Sequence, residues 1–547
     1  MTSKTAAGSG RRRLGAWGFE GEGFEPPPLM LSWLRSRLEA SPPFPRFSAT
    51  DFAPPPVPAL PELGTTLGSD GLDRLAHARG QALADMLRLR SGTVRHLPAA
   101  VARPASEAEL EALIAAAARE GLRLLPWGGG TSVTGGVNLV DATPTVVVDL
   151  ERLAGLYELD AESGLATFGA GTFGPALEAA LEPHGLTLGH FPQSFECSTL
   201  GGWIAAHSSG QESLGSGRIA DLVAGLRSFS PAGRLEVPAL PASASGPDLR
   251  RLFTGSEGRF GIISRATVRV SPRPLDHRVQ AVLLPGFLPG VAAARRLVQA
   301  EIGLCLLRLS DGAETEVALA VGLAKRRFAG LSRAYLRLRG ISDGAALLLL
   351  GSRGDAWHIE RCFEAARQLL RPFGAVWLGE STGRHWRRDR FRHPYLRDRL
   401  LDHGIACDTL ETATTWSNFE KLYHGVRSAL RDGAGAGERE LPVLGHLSHP
   451  YPDGASLYFT FFFRAPSGGD AAMARWAELK RRASRAIAAG GGAISHHHGV
   501  GTWHGPWLRA ELGDGGAAIL ASIAQGLDPR GILNPQVLLD PADRLEV

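Results

Sequence analysis

The sequence predicts an α+β fold, and three observations predict it. Glycine-dense segments in the first half stand beside short apolar strands: Pro126–Gly136, Pro192–Trp203 and Gly255–Ile263. From residue 276 to 510 helical and strand patterns alternate, which suits an antiparallel sheet flanked by helices. No internal repeat or coiled-coil heptad runs through either half.

Residues 1–94 read as a Pro/Gly-rich arm with Pro26-Pro27-Pro28 and Pro54-Pro55-Pro56, closed by a helix expected over Leu72–Leu89. Ser106-Glu107-Ala108-Glu109 reads as a capping box. The helix it opens has the apolar stripe Leu110, Leu113, Ile114 and Ala117. Leu122, Leu124 and Leu125 follow as a short strand. A domain over 95–275 closes near Pro272 and Pro274. In 276–510 the expected helices are Val291–Ala300, Ala356–Leu370, Trp416–Arg431 and Ala471–Ala489. The expected strands there are Leu304–Leu309, Val376–Leu378, Val443–Leu447 and Leu457–Phe463. A last segment, 511–547, holds Asp528-Pro529-Arg530-Gly531-Ile532-Leu533-Asn534-Pro535.

The glycine segments carry chemistry. Pro126-Trp127-Gly128-Gly129-Gly130-Thr131-Ser132-Val133 comes directly after a strand. Glycines let the backbone approach a ligand closely. Their consecutive N–H groups form a concavity for phosphate oxygens, and Thr131 and Ser132 add hydroxyls. Alone, such a loop is a flexible turn as often as a phosphate cradle. Three separated segments suit a long dinucleotide better. Gly215-Ser216-Gly217-Arg218-Ile219-Ala220 has part of the Rossmann spacing, but no apolar strand precedes it.

Composition sets the bounds. The 547 residues leave room for two or three domains, and 44% hydrophobic content is ordinary for a globular protein. No apolar run reaches the roughly 18 residues that cross a bilayer. Arg11-Arg12-Arg13 is followed by Glu20, Glu22 and Glu25 with no secretory apolar region, which argues against export. The ending Leu545-Glu546-Val547 is not peroxisomal. Cys197, Cys305, Cys362 and Cys407 are scattered, as buried thiols of a reducing cytoplasm would be. A net charge of +4 is too small to argue for nucleic acid. Among 59 basic residues only Lys4, Lys325, Lys421 and Lys480 are lysines, a pattern of GC-rich bacterial coding.

Ser495-His496-His497-His498-Gly499-Val500-Gly501 is poor core material. Imidazoles titrate near neutral pH, so a triple histidine suits proton transfer or metal binding. The plain alternative is a surface run.

Together these segments resemble the flavin-binding domain of the vanillyl-alcohol oxidase superfamily, and within it the alkyldihydroxyacetonephosphate synthase family. The likeness runs from about Arg95 to Asn534. It implies a PCMH-type two-subdomain FAD-binding domain at 95–275, a cap at 276–510, and a return to the FAD domain at 511–547. It also implies FAD held without a covalent bond. Pro126, Trp127, Gly128, Gly129, Gly130, Thr131, Ser132 and Val133 would wrap its diphosphate. Gln193, Ser194, Ser198, Thr199, Gly201 and Gly202 would reach the isoalloxazine and ribityl parts. Glu257, Gly258, Gly261 and Ile262 would add backbone contacts. Gln193 departs from the family, where animal members carry an aspartate.

The resemblance offers two chemistries. Relatives that oxidise 2-hydroxy acids carry a metal-binding G-H-x-G-D-G-N-x-H pattern plus a glutamate in E-H-G-x-G. Here the first pattern becomes Gly445-His446-Leu447-Ser448-His449, continuing through Pro450 and Tyr451 to Tyr458, which aligns with a ligand histidine. His497 aligns with the glutamate. A phenol and an extra imidazole make a poor site for a hard cation but good acid–base equipment, so no metal is expected. A core tyrosine remains the alternative for Tyr458, since Leu457, Phe459 and Phe461 surround it.

The synthase chemistry is redox-neutral and passes through an adduct at flavin N5. His498 would take a proton from acyl-dihydroxyacetone phosphate, with His496 and His497 beside it. Tyr458 would exchange the proton on the long-chain alcohol or on the substrate oxygen, and Arg308 would stabilise the departing carboxylate. The alternative for Arg308 is a strand-edge pair with Asp311 or Glu314. Arg384, Arg387, Arg388, Arg390 and Arg392, interleaved with Trp386, Phe391 and Tyr395, suit substrate phosphate or an anionic membrane surface. The family implies a homodimer. A hydroxy-acid oxidase or dehydrogenase, and a flavin-binding protein without activity, are the competing readings.

Overall fold

The computed structural model describes residues 12–49, 52–323, 336, 338–341, 344–539 and 544–545. Lys4, Arg11, Lys325, Glu546 and Val547 lie outside them. Among the described residues the strands form three large sheets and one two-stranded pair. The first contains β1 (Leu67–Gly68), β2 (Ala100–Ala102), β3 (Arg123–Trp127) and β4 (Thr145–Asp149) in the order β1-β2-β4-β3. β2 and β3 both run parallel to β4. The next strands are β5 (Leu156–Asp160), β6 (Leu165–Gly169), β7 (Leu186–Thr187), β8 (Val223–Ser230), β9 (Gly233–Val237), β10 (Ile262–Arg269) and β11 (Ser271–Pro272). Five of them form an antiparallel sheet, β5-β6-β10-β8-β9, while β7 and β11 pair separately.

The cap sheet is larger. It contains β12 (Asp276–Leu284), β13 (Leu306–Ser310), β14 (Ala346–Gly354), β15 (Val376–Gly379), β16 (Ile405–Thr415), β17 (Val443–Pro450) and β18 (Gly454–Arg464). Their order is β15-β12-β14-β13-β17-β18-β16, and every neighbouring pair is antiparallel.

Alternation along these strands sorts their side chains. Leu307, Leu309, Leu348, Leu350, Leu457, Phe459 and Phe461 share one buried cluster. That cluster also takes the helices Phe287–Gln299, Ala356–Leu370, Phe419–Arg431 and Gly469–Ala489. Full burial of a Phe or Leu there stabilises by about 1.5–3 kcal/mol. Arg308, Ser310, His446, Tyr458 and Thr460 point the other way, into a cavity. The apolar neighbours of Tyr458 therefore lie on the opposite face, and Tyr458 is not part of that core.

Two local expectations are corrected. Leu72–Leu89 is not one helix but two, Gly71–Ala76 and Leu83–Arg90. Tertiary bonds override helix propensity between them: the Gly80 amide donates to Asn138 at 3.0 Å and the Gln81 amide to the Ser132 carbonyl at 2.8 Å. The capping box is half formed. Ser106 accepts the Glu109 amide at 3.2 Å, but the Glu109 carboxylate takes the amide of Ala105, not of Ser106. Other element ends move by a few residues.

The arm and the last segment both serve the site. Trp17, Phe24, Pro27 and Met30 line the cavity, held by Arg13 to Asp398 at 2.9 Å and by the Tyr395 hydroxyl to Glu22 at 2.5 Å. Leu533 bridges to Leu124 of β3, and the Asn534 amide donates to the carbonyls of Gly136 at 3.0 Å and Glu257 at 2.8 Å. The four cysteines are buried and unbonded. Among the described residues no helix is long and apolar enough to cross a membrane.

Candidate active site

Beyond β3 the residues Gly128–Val133 follow the wall of a cavity of about 990 Å³. Among the described residues the amides of Gly128 to Ser132 make no hydrogen bond within the chain. Gly130 is left-handed at φ 58°, and a Cβ there would enter the Trp127 ring. A Cβ on Gly129 would enter the carbonyl of Cys197 and press on the Cα of Ser198. Glycine is needed at 129 because two loops meet backbone to backbone, as well as for access by a phosphate. Ser132 Oγ accepts the Gly136 amide at 2.9 Å and holds the turn.

The opposing loop supplies Gln193, Ser194, Ser198, Thr199, Gly201 and Gly202 to the same cavity, and Glu257, Gly258, Gly261 and Ile262 follow. Every residue expected around the cofactor lines this one space. A run of open amides on a glycine turn, facing a long groove with several hydroxyls, fits FAD. Glu257 does more than the sequence suggested. Its carboxylate accepts the amides of Val500 and Gly501, the latter at 2.8 Å. Burial pushes its pKa up to about 7, against the pull of those two amides. Glu257 thus clamps the loop after the triple histidine to the flavin domain.

The cap contributes a polar row. Across neighbouring strands Ser310 faces His446, His446 faces Tyr458, and Tyr458 faces Glu411. Directly opposed residues share a face of the sheet. The rings of His446 and Tyr458 stack 4.8 Å apart, and His498 meets Tyr458 edge-on at 5.8 Å. The His498 carbonyl accepts the Thr134 hydroxyl at 3.2 Å, which ties it to the cradle loop. Burial, reinforced by His497, holds the pKa of His498 well below its ordinary value, so its ring is a neutral base. Burial pushes the Tyr458 phenol up, which keeps its proton on.

Three expectations change at this level. His497 and His498 line the cavity, but His496 turns away: its Nε2 meets the Tyr451 hydroxyl at 2.6 Å. Arg308 lines the cavity and pairs with Glu314 at 2.6 Å and Ser310 at 2.9 Å, while Nδ1 of His446 lies 3.0 Å away. Asp311 belongs instead to Arg427 and Tyr423. In the arginine run Arg384, Arg387, Arg388 and Arg392 are exposed, while the aromatic residues interleaved with them turn inward. Arg390 is buried on Glu212, Tyr395 is 3% exposed, and Trp386 and Phe391 pack against core clusters. Of the five arginines, only Arg388 lines the cavity.

Sequence reasoning missed Glu411. Its side chain is fully buried beside His497 at 2.8 Å, His496 at 3.4 Å and His498 at 3.9 Å. Ser448 donates to it at 2.8 Å. An acid on the polar face of a strand with an apolar opposite face needs a partner, and that was the available signal. The arm residues Trp17 to Met30 were missed as well, because no local pattern marks them.

Comparison with known proteins agrees with this geometry. Residues 98–237 match the family described as FAD binding domain, and residues 273–538 match FAD linked oxidases, C-terminal domain. The alkyldihydroxyacetonephosphate synthase of Dictyostelium discoideum is 31% identical over 482 residues, covering 86% of this chain and 78% of that protein. That of Trypanosoma brucei brucei is 30% identical over 520 residues, covering 92% and 84%. A solved alkyldihydroxyacetonephosphate synthase superposes with a TM-score of 0.79 at 27% identity, covering 95% of this chain and 94% of the other. With its FAD-binding fold and its likeness to these synthases over most of its length, the chain belongs to the alkyldihydroxyacetonephosphate synthase family.

Proposed function

We propose that the chain is an FAD-dependent alkylglycerone-phosphate synthase. It exchanges the acyl group of acyl-dihydroxyacetone phosphate for a long-chain alcohol and gives an ether-lipid precursor without net electron transfer. One observation carries the reading. The cavity passes from the glycine turn by His498, Tyr458 and Arg308 to an apolar wall of Leu283, Leu306, Leu347, Leu349, Val376 and Phe462. A small hydroxy acid leaves such a wall uncovered, whereas each buried CH₂ of a lipid chain contributes about 0.8 kcal/mol.

FAD held by Gly128–Val133, by Gln193 to Gly202 and by Glu257 to Ile262 would supply the covalent chemistry that links loss of the acid to entry of the alcohol. His498, neutral through burial, takes the proton from the carbon bearing the ester. Tyr458 keeps its phenolic proton and exchanges it with the alcohol oxygen. Arg308 presents its guanidinium to the departing carboxylate, its orientation set by Glu314 and Ser310. Arg388 is the group we assign to the substrate phosphate. The apolar wall keeps water from the reacting carbon. His446 supports an acid–base site over a metal site, because a guanidinium nitrogen already lies 3.0 Å from its Nδ1.

The test mixes purified yellow protein with palmitoyl-dihydroxyacetone phosphate and hexadecanol, with no electron acceptor. Ether product is the expected result. Dye reduction by D-lactate or D-2-hydroxyglutarate, stimulated by zinc or manganese and without ether product, would favour the oxidase reading instead. A homodimer and a cytoplasmic location with contact at the inner membrane face belong to the same proposal. Light scattering and vesicle flotation test them.

A further inference from the structure

The proposed reaction releases one proton per turnover. The carbon proton taken by His498 returns to that carbon, the acid leaves as a carboxylate, and the alcohol O–H proton is left over. With a lipid chain against the apolar wall, that proton needs its own route to solvent. This inference rests on the proposed reaction.

The structure offers such a route. Among the described residues the ion-pair partners of buried Glu411 are three imidazoles, His497, His496 and His498. These imidazoles are the nearest basic groups to the buried carboxylate, and a proton on one of them compensates its charge. His496 Nδ1 and His497 Nδ1 face each other at 3.0 Å, so one of the two nitrogens carries a hydrogen between them. On its far side His496 Nε2 meets the Tyr451 hydroxyl at 2.6 Å. Tyr451 stands in the wall of a second cavity of about 570 Å³, which shares Ser448 and His449 with the first. Exposed Asp221, Glu301 and Pro452 also line that second cavity, so it reaches the surface.

We propose that Glu411 is a positioning residue that keeps one proton shared between His496 and His497 while His498 stays neutral, and that Tyr451 passes the proton to the second cavity. The other titratable and charged groups facing the cluster are His446 and His449 from β17, Tyr458 from β18 and Lys480 from the helix Gly469–Ala489. Arg218 lies with its guanidinium 5.6 Å over the Tyr451 ring, and His190 and His207 complete the flavin-domain side. These basic neighbours oppose a second proton. Burial works against the Glu411 charge, yet His497 and His496 hold its pKa well below the usual carboxylate range.

The holoenzyme tests this with palmitoyl-dihydroxyacetone phosphate and hexadecanol. Tyr451→Phe should lower kcat about tenfold or more, with both KM values and the FAD content unchanged. Glu411→Gln should lower kcat further and move the basic limb of its pH profile to lower pH by at least one unit. Glu411→Asp should restore part of both. Histidine labelled with ¹⁵N reads the proton without turnover: one imidazolium at His496 or His497 should be present in wild type and vanish in Glu411→Gln. Unchanged kcat in Tyr451→Phe, an unmoved basic limb, or no such imidazolium overturns the relay. So does a stoichiometric transition metal in the purified protein, since one ligand atom each from Glu411, His449, His496 and His497 lie within 4.8 Å of one another. A wild type with the imidazolium signal but no ether product sinks the reaction reading, and the relay's role in catalysis with it.

Discussion

His446 and Tyr458 stand opposite each other on adjacent strands, their rings stacked 4.8 Å apart and 13° from parallel. The stack fixes where the phenolic oxygen points, because ring contact and strand register both hold it. Tyr458→Phe keeps the stack and loses only the hydroxyl. It should lower kcat at least 100-fold, in the range of a lost general acid or base, and leave FAD content unchanged. Steady-state rates of ether formation check this; full activity would remove Tyr458 from proton transfer.

His498→Ala should abolish turnover and leave the bound flavin absorbance nearly intact. The backbone of residue 498, not its side chain, accepts the Thr134 hydroxyl that joins it to the cradle loop. An active variant would mean that another group takes the substrate proton.

Gly129→Val should yield a colourless or poorly folded protein. The new Cβ would collide with the backbone of Cys197 and Ser198, which has no flexible end to yield. Flavin absorbance per chain measures the outcome. Stoichiometric FAD in this variant would refute the close approach of the two loops.

Much of this was legible in the sequence, for reasons that particular residues show. Gly128–Gly130 after a strand and the alternation from Leu457 to Phe463 are local patterns, and both appear where the pattern places them. What stayed hidden depends on topology. Glu411 reaches the triple histidine only because β16 pairs with β18 at the sheet edge, and nothing within ten residues of it announces that. The helix over Leu72–Leu89 breaks because the backbone of Gly80 and Gln81 bonds to Asn138 and Ser132. His496 reads like its two neighbours, and only Tyr451 sets it apart.

His77 gives a pH dependence with a defined sign. Burial works against its charge, but hydrogen bonds to Asp149 at 3.1 Å and to Asp73 outweigh it and hold the pKa up at about 9. The folded chain therefore binds this proton more tightly than the unfolded chain, whose pKa is about 6.5. The stabilisation is fully present below about 6.5 and is lost as pH rises through about 9. Its full size is roughly 3 kcal/mol. Thermal melts at pH 6.5 and 9.5 should show a larger drop for wild type than for His77→Gln. Equal drops would mean that His77 is not charged in the native state.

The clasp made by Asn534 bears on how the protein comes into being in the cell. The carbonyl of Gly136 waits for a partner 398 positions further along the chain. During synthesis the early cofactor-binding layer leaves the ribosome long before that partner exists. The clasp between the two ends of the sequence therefore closes only after nearly the whole chain has been made.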